Sequence, residues 1–370
     1  FFTAVADWPV WISRMGLRFP FAPLFSAWSF YFMLRGMRTG RRRDFLMLGL
    51  CLGAGLYGYT AFRLVPLAVA FAWLLAWALA RKEDELYRNL HWHRLALTVV
   101  TAVLVFVPLG CFMLWDPGAF WGRSTWYLSR NPIPGSPLMT LLRNLKNLAL
   151  MFHWRGDFMP LNAIPYAPVL TPIAGALLIL GAITALYRVL WRREARTAAL
   201  LLAGCIAWLP SALALAFPDE NPSVVRTGAA IPVIFTLVAL PVGRWWVGVR
   251  TTWRDWRWRV MGISLVVMVL VASVGLNAHR VFVRHTQAYR PAVPNTGEVA
   301  AAIRSFDAIL GDLANVYVIS EGRWLLADAI ALELGLPQWT NMLSSAEEIP
   351  DGELKRPRMY ILRPDNDADL

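Results

Sequence analysis

The stretch Leu95-Ala-Leu-Thr-Val-Val-Thr-Ala-Val-Leu-Val-Phe-Val-Pro-Leu-Gly-Cys-Phe-Met-Leu114 contains no charged side chain. A helix of about twenty such residues crosses the hydrocarbon core of a lipid bilayer. Hydrophobic residues make up 57% of the 370 residues and charged residues only 16%, which excludes an ordinary soluble globular protein. The chain is therefore predicted to be mostly α-helical and to cross a membrane several times.

Seven further apolar runs lie on either side of this stretch, so eight membrane spans are predicted. They are placed near 19–34, 45–58, 62–80, 95–114, 168–187, 198–216, 228–246 and 260–279. The apolar run 45–80 is too long for a single helix, and Gly53, Gly58 and Pro66 interrupt it. Because glycine and proline favour turns, we expect a tight hairpin there.

The connections between the predicted spans alternate in basic charge. Eighteen Lys and Arg fall in 35–44, 81–94, 188–196 and 244–259, whereas nine fall in 1–18, 59–63, 115–167 and 217–227. The positive-inside rule places the first set in the cytoplasm and the second set outside. The net charge of +12 then reflects topology and anionic lipid headgroups, so nucleic acid is excluded as a partner.

The composition changes after His279 to that of a soluble domain. We therefore divide the chain into a transmembrane region, 1–284, with an external loop 115–167, and an incomplete extracytoplasmic α/β domain, 285–370. Within the loop, the amphipathic segment Pro137–Phe152 is predicted to lie as a helix along the outer membrane surface. The second domain is predicted to contain a helix 296–310, a strand 315–320, a helix 324–334 and a strand 358–363.

Arginines lie at the predicted outer ends of several spans, among them Arg14, Arg63, Arg155 and Arg226. A guanidinium group binds phosphate through paired hydrogen bonds and charge, and a lipid phosphate lies at this depth. An arginine at a span end also commonly extends to lipid headgroups with no other role. The shared face of the four arginines favours an anion site.

Carboxylates on the predicted outer side are candidates for chemistry. They are Asp116, Asp157, Asp219 and Glu220. Any of them could act as a general base or hold a divalent cation, and no other cofactor is expected. Cys51, Cys111 and Cys205 lie within apolar spans, so neither a disulfide framework nor a zinc site is predicted.

Four segments resemble the protein mannosyltransferase and aminoarabinose transferase superfamily, which are bacterial glycosyltransferases of the GT-C fold. They are Ile12-Ser-Arg-Met-Gly-Leu-Arg18, Gly49–Arg63, Met151–Asp157, and the polar turn ending in Arg226 that precedes Gly228-Ala-Ala-Ile-Pro232. The resemblance rests on the order, spacing and topology of these segments and covers residues 5–285.

The resemblance implies an inverting glycosyltransferase of the bacterial inner membrane. It would move a sugar from a polyprenyl-phosphate donor to a protein, lipid or glycan acceptor on the outer side. Arg226, Arg63 and Arg14 would bind the donor phosphate. Tyr57, Tyr59, Arg155 and Asp157 would line the substrate cleft. Asp157 and Asp219 are the candidates within the chain for the base that deprotonates the acceptor.

The family's catalytic aspartate lies in an external loop upstream of the segment that matches Ile12–Arg18. The chain opens with Phe1-Phe-Thr and closes with Asp367-Ala-Asp-Leu370. We therefore expect an N-terminally truncated fragment that lacks this base and is inactive by itself. Asp7 follows no matching motif and is not assigned the role.

A non-enzymatic membrane protein, such as a lipid or polysaccharide transporter or flippase, is the alternative interpretation. Transporters place ionisable residues in the middle of their spans. Here the middles of the predicted spans are nearly all apolar and the polar clusters lie at one surface, which favours chemistry at that surface. A structural subunit of an envelope assembly is a third interpretation.

Overall fold

The structure, a computed structural model, is mostly helical and describes residues 1–81, 84–122, 133–252, 255–292, 296–310, 312–319, 325–345, 348–349 and 357–362. It divides into two compact units, Phe1–His285 and Thr286–Leu370. The middle of the predicted external loop lies outside the described residues. So do Ser320, Trp324 and Arg363 at the ends of predicted elements, and the rest of the terminal segment, 364–370.

Helices make up the first unit and continue into the first residues of the second. They are α1 (Phe2–Val5), α2 (Asp7–Arg14), α3 (Phe21–Thr39), α4 (Arg42–Gly55), α5 (Leu64–Leu79), α6 (Glu85–Asn89), α7 (Trp92–Trp115), α8 (Pro137–Leu150), α9 (Pro172–Leu190), α10 (Ala195–Trp208), α11 (Ile231–Thr252), α12 (Trp256–His279) and α13 (His285–Ala292). Short 3-10 turns at Thr60–Arg63, Leu209–Ser211, Pro218–Glu220 and Gly228–Ala230 join some of them, and a π-helical turn, Arg280–Arg284, links α12 to α13.

Five helical segments among the described residues are long and apolar enough to cross a membrane. They are Thr60–Leu79, Glu85–Trp115, Pro172–Leu190, Gly228–Thr251 and Trp256–Arg290, and each overlaps a predicted span. The other three predicted spans, 19–34, 45–58 and 198–216, coincide with α3, α4 and α10. Since α4 and α10 have only 14 residues each, helix length and hydropathy establish five candidate spans and not eight.

Two glycines allow α4 to approach α7 closely. A Cβ atom at Gly49 would lie 2.5 Å from the carbonyl oxygen of Thr98, and one at Gly53 would lie 2.7 Å from that of Ala102. Their four-residue spacing places both on one face of α4, which is the small-residue pattern that lets membrane helices pack backbone to backbone. The helix pair therefore depends on the absence of side chains at these two positions.

Two apolar cores hold the first unit together. One includes Trp8, Phe152 and Val224, and the other includes Phe45 and Ala229. Val224 and Val225 of the polar turn between Pro218 and Thr227 pack in the first core, and Ala229 and Ala230, which follow the turn, pack in the second. The turn is therefore anchored by packing at its C-terminal end, while the Asp219 side chain stays exposed.

A buried ion pair joins the beginning of the chain to the end of α12. The Asp7 carboxylate pairs with the Arg280 guanidinium, whose Nη2 also donates to the carbonyl oxygen of Pro168 at 2.6 Å. The backbone N–H of Asp7 donates to Oδ1 of Asn277 at 3.1 Å. Asp7 is therefore committed to packing the first unit, which agrees with its exclusion from the catalytic candidates.

The second unit contains α14 (Thr296–Leu310), α15 (Ala327–Leu334) and a three-stranded sheet. The strands β1 (Val316–Ile319), β2 (Met342–Leu343) and β3 (Met359–Ile361) run parallel in the order β2-β1-β3. In register, Val318 pairs with Met342 and Tyr317 with Tyr360. The predicted helix 296–310 is confirmed, the predicted helix 324–334 contains α15, the predicted strands contain β1 and β3, and β2 was not predicted.

Candidate functional site

The candidate site is built around the turn Pro218–Thr227, whose backbone is held from two directions. The N–H of Val224 donates to Oδ2 of Asp157 at 3.0 Å, and its carbonyl oxygen accepts from the indole N–H of Trp8 at 2.9 Å. Ser211 adds a third attachment, because its Oγ accepts from the N–H of Ser223 at 2.9 Å. The turn is therefore a preorganised support for the side chains that it carries.

Asp157 lies beneath this turn and is only 1% exposed. Besides Val224, its carboxylate accepts from the backbone N–H of Met159 at 2.9 Å and from the amide of Asn162 at 3.4 Å. Burial raises the pKa of Asp157 to about 6, although these hydrogen bonds and the charge of Arg226 each lower it. A carboxylate enclosed by three donors has no open side for an acceptor hydroxyl, so Asp157 positions the turn.

Arg226 projects from the turn beside Tyr59 and Glu220. Its Nη2 pairs with the Glu220 carboxylate, while Nη1 is buried with no hydrogen-bond partner among the residues that the structure describes. Burial and, less strongly, the charge of Glu220 raise the pKa of the Tyr59 hydroxyl, while the charges of Arg226 and Arg18 and a hydrogen bond with Arg226 lower it. A buried guanidinium nitrogen without an acceptor is the kind of group that a bound anion satisfies.

Two more arginines join this group, which we call the arginine cluster: Arg18, Arg63 and Arg226, with Tyr59 and Glu220. Arg18 is close enough to act electrostatically on both Tyr59 and Arg63. The Arg63 guanidinium lies over the rings of Phe120 and Trp121, at 5.3 and 5.6 Å from their centroids. Members of the cluster thus come from three distant stretches of sequence.

Two residues predicted for the site, Arg14 and Tyr57, interact with other parts of the structure. Arg14 is exposed at the end of α2, where its charge acts on His285. The hydroxyl of Tyr57 enters the backbone ladder of α7 beside Pro108: it donates to the carbonyl oxygen of Val105 at 2.8 Å and accepts from the N–H of Leu109 at 3.3 Å. Tyr57 therefore fastens the predicted hairpin to α7.

A separate cavity of about 640 Å³, which we call the loop pocket, lies between α8, the segment 154–166 and the opposite face of the same turn. The predicted residues Arg155 and Asp219 line it. Arg155 lies over the ring of Tyr166, 4.4 Å from its centroid. The Asp219 side chain is 96% exposed and approaches Arg143 at 3.4 Å, so it is a carboxylate open to solvent and to a ligand.

The remaining carboxylates and histidines of the described residues lie singly or in pairs. Asp116 accepts from the N–H of Ala119 at 2.8 Å, as a helix-capping side chain does. Within the ranges that the structure describes, no group of three or more His, Cys, Asp or Glu side chains converges on one point.

Sequence reasoning selected Arg14 from the segment Ser13–Arg18, whereas the structure brings Arg18 to Tyr59 and Arg63. It also named Glu220 only as one of four carboxylates, and it did not single out Trp154 or Tyr166 in the loop pocket. Arg18 is brought near Tyr59 and Arg63 only by the tertiary fold, and nothing in the local sequence ranks it above Arg14. Glu220, six residues before Arg226, could have been found by treating the turn as one unit.

The chain matches no protein-family model, no curated protein and no solved structure.

Proposed function

We propose that the chain is a glycosyltransferase of the bacterial inner membrane that takes a sugar from a polyprenyl-phosphate donor. The observation that carries the proposal is the buried Nη1 of Arg226, which lacks an acceptor among the described residues and lies in a cluster with Tyr59 and two further arginines. Clustered guanidinium groups repel one another unless an anion neutralises them. A phosphate that carries negative charge and several acceptor oxygens suits this position.

The donor would enter from the lipid. In the proposed topology of eight crossings, the connections 59–63 and 217–227 face the outside, so the arginine cluster lies at the depth of lipid phosphates. The alternating basic charge supports this orientation, which also requires the shorter helix α10 to cross the membrane between Pro172–Leu190 and Gly228–Thr251. The electrostatic interaction of Arg226 with Tyr59 supports a location of both connections on one side. The same topology would leave the second unit outside the cytoplasm.

In the proposed reaction, the acceptor hydroxyl oxygen forms a bond to the anomeric carbon as the bond from that carbon to the donor phosphate oxygen breaks. The hydroxyl proton passes to a carboxylate, and arginines stabilise the negative charge that remains on the phosphate. Because Asp157 is enclosed, the exposed Asp219 is the better candidate within the chain for the base. Arg226 and Arg63 would hold the leaving group.

The test is binding of undecaprenyl phosphate to the chain in phosphatidylcholine nanodiscs. Arg226→Ala removes a charge-assisted contact worth about 1.5–3 kcal/mol, so affinity should fall on the order of ten- to a hundredfold. Arg226→Lys should restore only part of it, since a point charge cannot replace a bidentate fork. Arg192→Ala, at an exposed arginine in the connection 188–196, is the matched control.

Equal affinity of the wild type and Arg226→Ala for undecaprenyl phosphate would overturn the donor assignment. Transfer is tested in the same nanodiscs with undecaprenyl-phosphate sugars, and a chain that lacks the upstream base should bind the donor without transferring its sugar. Movement of the intact lipid between leaflets without cleavage of its sugar would instead favour the transporter interpretation.

A further inference from the structure

The loop pocket has the size and lining of a small-ligand site that is distinct from the arginine cluster. Its volume of about 640 Å³ lies within the range of 300–1,000 Å³ that is usual for ligand pockets. The turn Pro218–Thr227 separates the two sites: Arg226 and Glu220 face Tyr59, whereas Asp219 and Asn221 face the pocket. The same turn thus contributes side chains to two regions, one for each substrate of a two-substrate reaction.

The charge of the loop pocket is positive. Arg143 and Lys146 line it from α8 and Arg155 lines it from the following loop, while Asp219 is the one carboxylate among the described lining residues. The contact of 3.4 Å between Arg143 and Asp219 is long and exposed, so it neutralises little. At least two positive charges thus remain for an anionic ligand.

Aromatic rings accompany these charges. Trp154 lines the pocket and is 75% exposed, so the face of its indole ring is open to a ligand. Tyr166 has a backbone φ of 58°, in the left-handed region that costs a non-glycine residue energy, and its N–H donates to the carbonyl oxygen of Asp157 at 2.8 Å. That hydrogen bond holds the Tyr166 ring under Arg155.

We propose that the loop pocket binds the acceptor, and that this acceptor is an anionic saccharide: a sugar that carries a phosphate or carboxylate group. The flat face of a pyranose would lie on Trp154, while the anionic group would bind Arg155 and Lys146. The proposal rests on the proposed function for its role in transfer, but the binding itself is measured independently. The saccharide could be soluble or the headgroup of a glycolipid, since both present the same chemistry.

The experiment measures the dissociation constants of glucose 6-phosphate, glucuronate and glucose for the full chain in phosphatidylcholine nanodiscs. A second arm uses nanodiscs that contain glucuronosyl diacylglycerol, which separates a lipid-borne saccharide from a soluble one. Both anionic sugars, or the glycolipid, should bind at least tenfold more tightly than glucose. Arg155→Gln should weaken anionic binding on the order of tenfold, and Arg155→Lys should recover most of the loss.

Two controls match the pocket residues in type and exposure. Trp154→Ala should weaken every sugar severalfold, whereas Trp191→Ala, at a tryptophan that is 71% exposed elsewhere, should not. Arg192→Gln is the control for Arg155→Gln. Undecaprenyl phosphate binding should be unchanged by Arg155→Gln, so failure of this inference and failure of the donor proposal give different results.

Equal affinities for glucose, glucose 6-phosphate and glucuronate, together with no tighter binding of the glucuronosyl lipid, would overturn the inference. The inference would also be overturned if Arg155→Gln and Trp154→Ala bound the anionic sugars as tightly as their control variants do, while both kept the wild-type thermal transition.

Discussion

The two aspartates at the turn Pro218–Thr227, Asp157 and Asp219, have opposite surroundings. Beneath the turn, Asp157 is 1% exposed and accepts three hydrogen bonds. In the loop pocket, the Asp219 side chain is 96% exposed and has a single contact of 3.4 Å to Arg143. A buried carboxylate whose two oxygens accept three hydrogen bonds serves structure, and an open one is free to meet a ligand. Residue type and predicted location were the same for both.

The same comparison distinguishes the residues that fix the turn from the residues that would bind a ligand. Asp157 and Trp8 fix the two backbone groups of Val224, two residues before Arg226. Arg226 is then carried by a backbone that has little freedom to adjust, which keeps its guanidinium group in place for an anion at low entropic cost. The loop pocket, by contrast, is lined by side chains with exposed ends.

Replacement of Asp157 by alanine should have the largest effect. It leaves the N–H groups of Val224 and Met159 and the Asn162 amide without an acceptor, and unpaired buried donors cost about 1–3 kcal/mol each. We expect a loss of roughly 3–5 kcal/mol in unfolding free energy and weaker undecaprenyl phosphate binding. Thermal unfolding in detergent measures the first. Asp219→Ala is the control and should move the transition by only about 1 °C. A similar loss of stability in both variants would contradict the distinction between Asp157 and Asp219.

The local features of the fold were predictable from the sequence. Long uncharged runs such as 95–114 need no distant partner to become helices, and the helix 296–310 has its own start and stop signals. Gly49 and Gly53 could be recognised as a close-packing pattern, although the partner helix could not. Signals of this kind extend over only a few turns of chain.

The site depended on contacts between distant parts of the sequence. Asp157 meets Val224 across 67 residues, Tyr57 meets Val105 across 48, and Asp7 meets Arg280 across 273. Nothing near Asp157 in the sequence shows that its carboxylate will be enclosed. For that reason Asp157 and Asp219 were equal candidates for the base until the structure separated them.

The pH dependence of stability should distinguish the same two aspartates. Burial raises the folded-state pKa of Asp157 from 3.8 to about 6, so its contribution is fully present below pH 3.8 and is lost as the pH rises through 6. A shift of this size corresponds to roughly 2–3 kcal/mol. The difference in transition temperature between the wild type and Asp157→Ala should therefore shrink between about pH 4 and 6.5 and stay constant at higher pH. A difference that stays constant or grows over the lower range would contradict the assignment, and Asp219→Ala should follow the wild-type profile.

The smallest effect is expected when the hydrogen bond to the carbonyl oxygen of Val224 is removed. Trp8→Phe keeps an aromatic ring against Phe152 and Phe235 but removes the indole N–H that donates to the Val224 carbonyl oxygen. One neutral hydrogen bond contributes about 1 kcal/mol, and the substitution also leaves a small void, so stability should fall by about 1–2 kcal/mol. Because Val224 lies two residues before Arg226, the affinity for undecaprenyl phosphate should fall severalfold, while glucose 6-phosphate binding in the loop pocket should not change.

Trp11→Phe is the matched control, since the Trp11 indole nitrogen is buried with no hydrogen-bond partner in the described part of the chain. If the two variants weakened undecaprenyl phosphate binding equally, the hydrogen bond to Val224 would have no part in placing Arg226, and the rigidity of the turn would have to come from Asp157 and Ser211 alone.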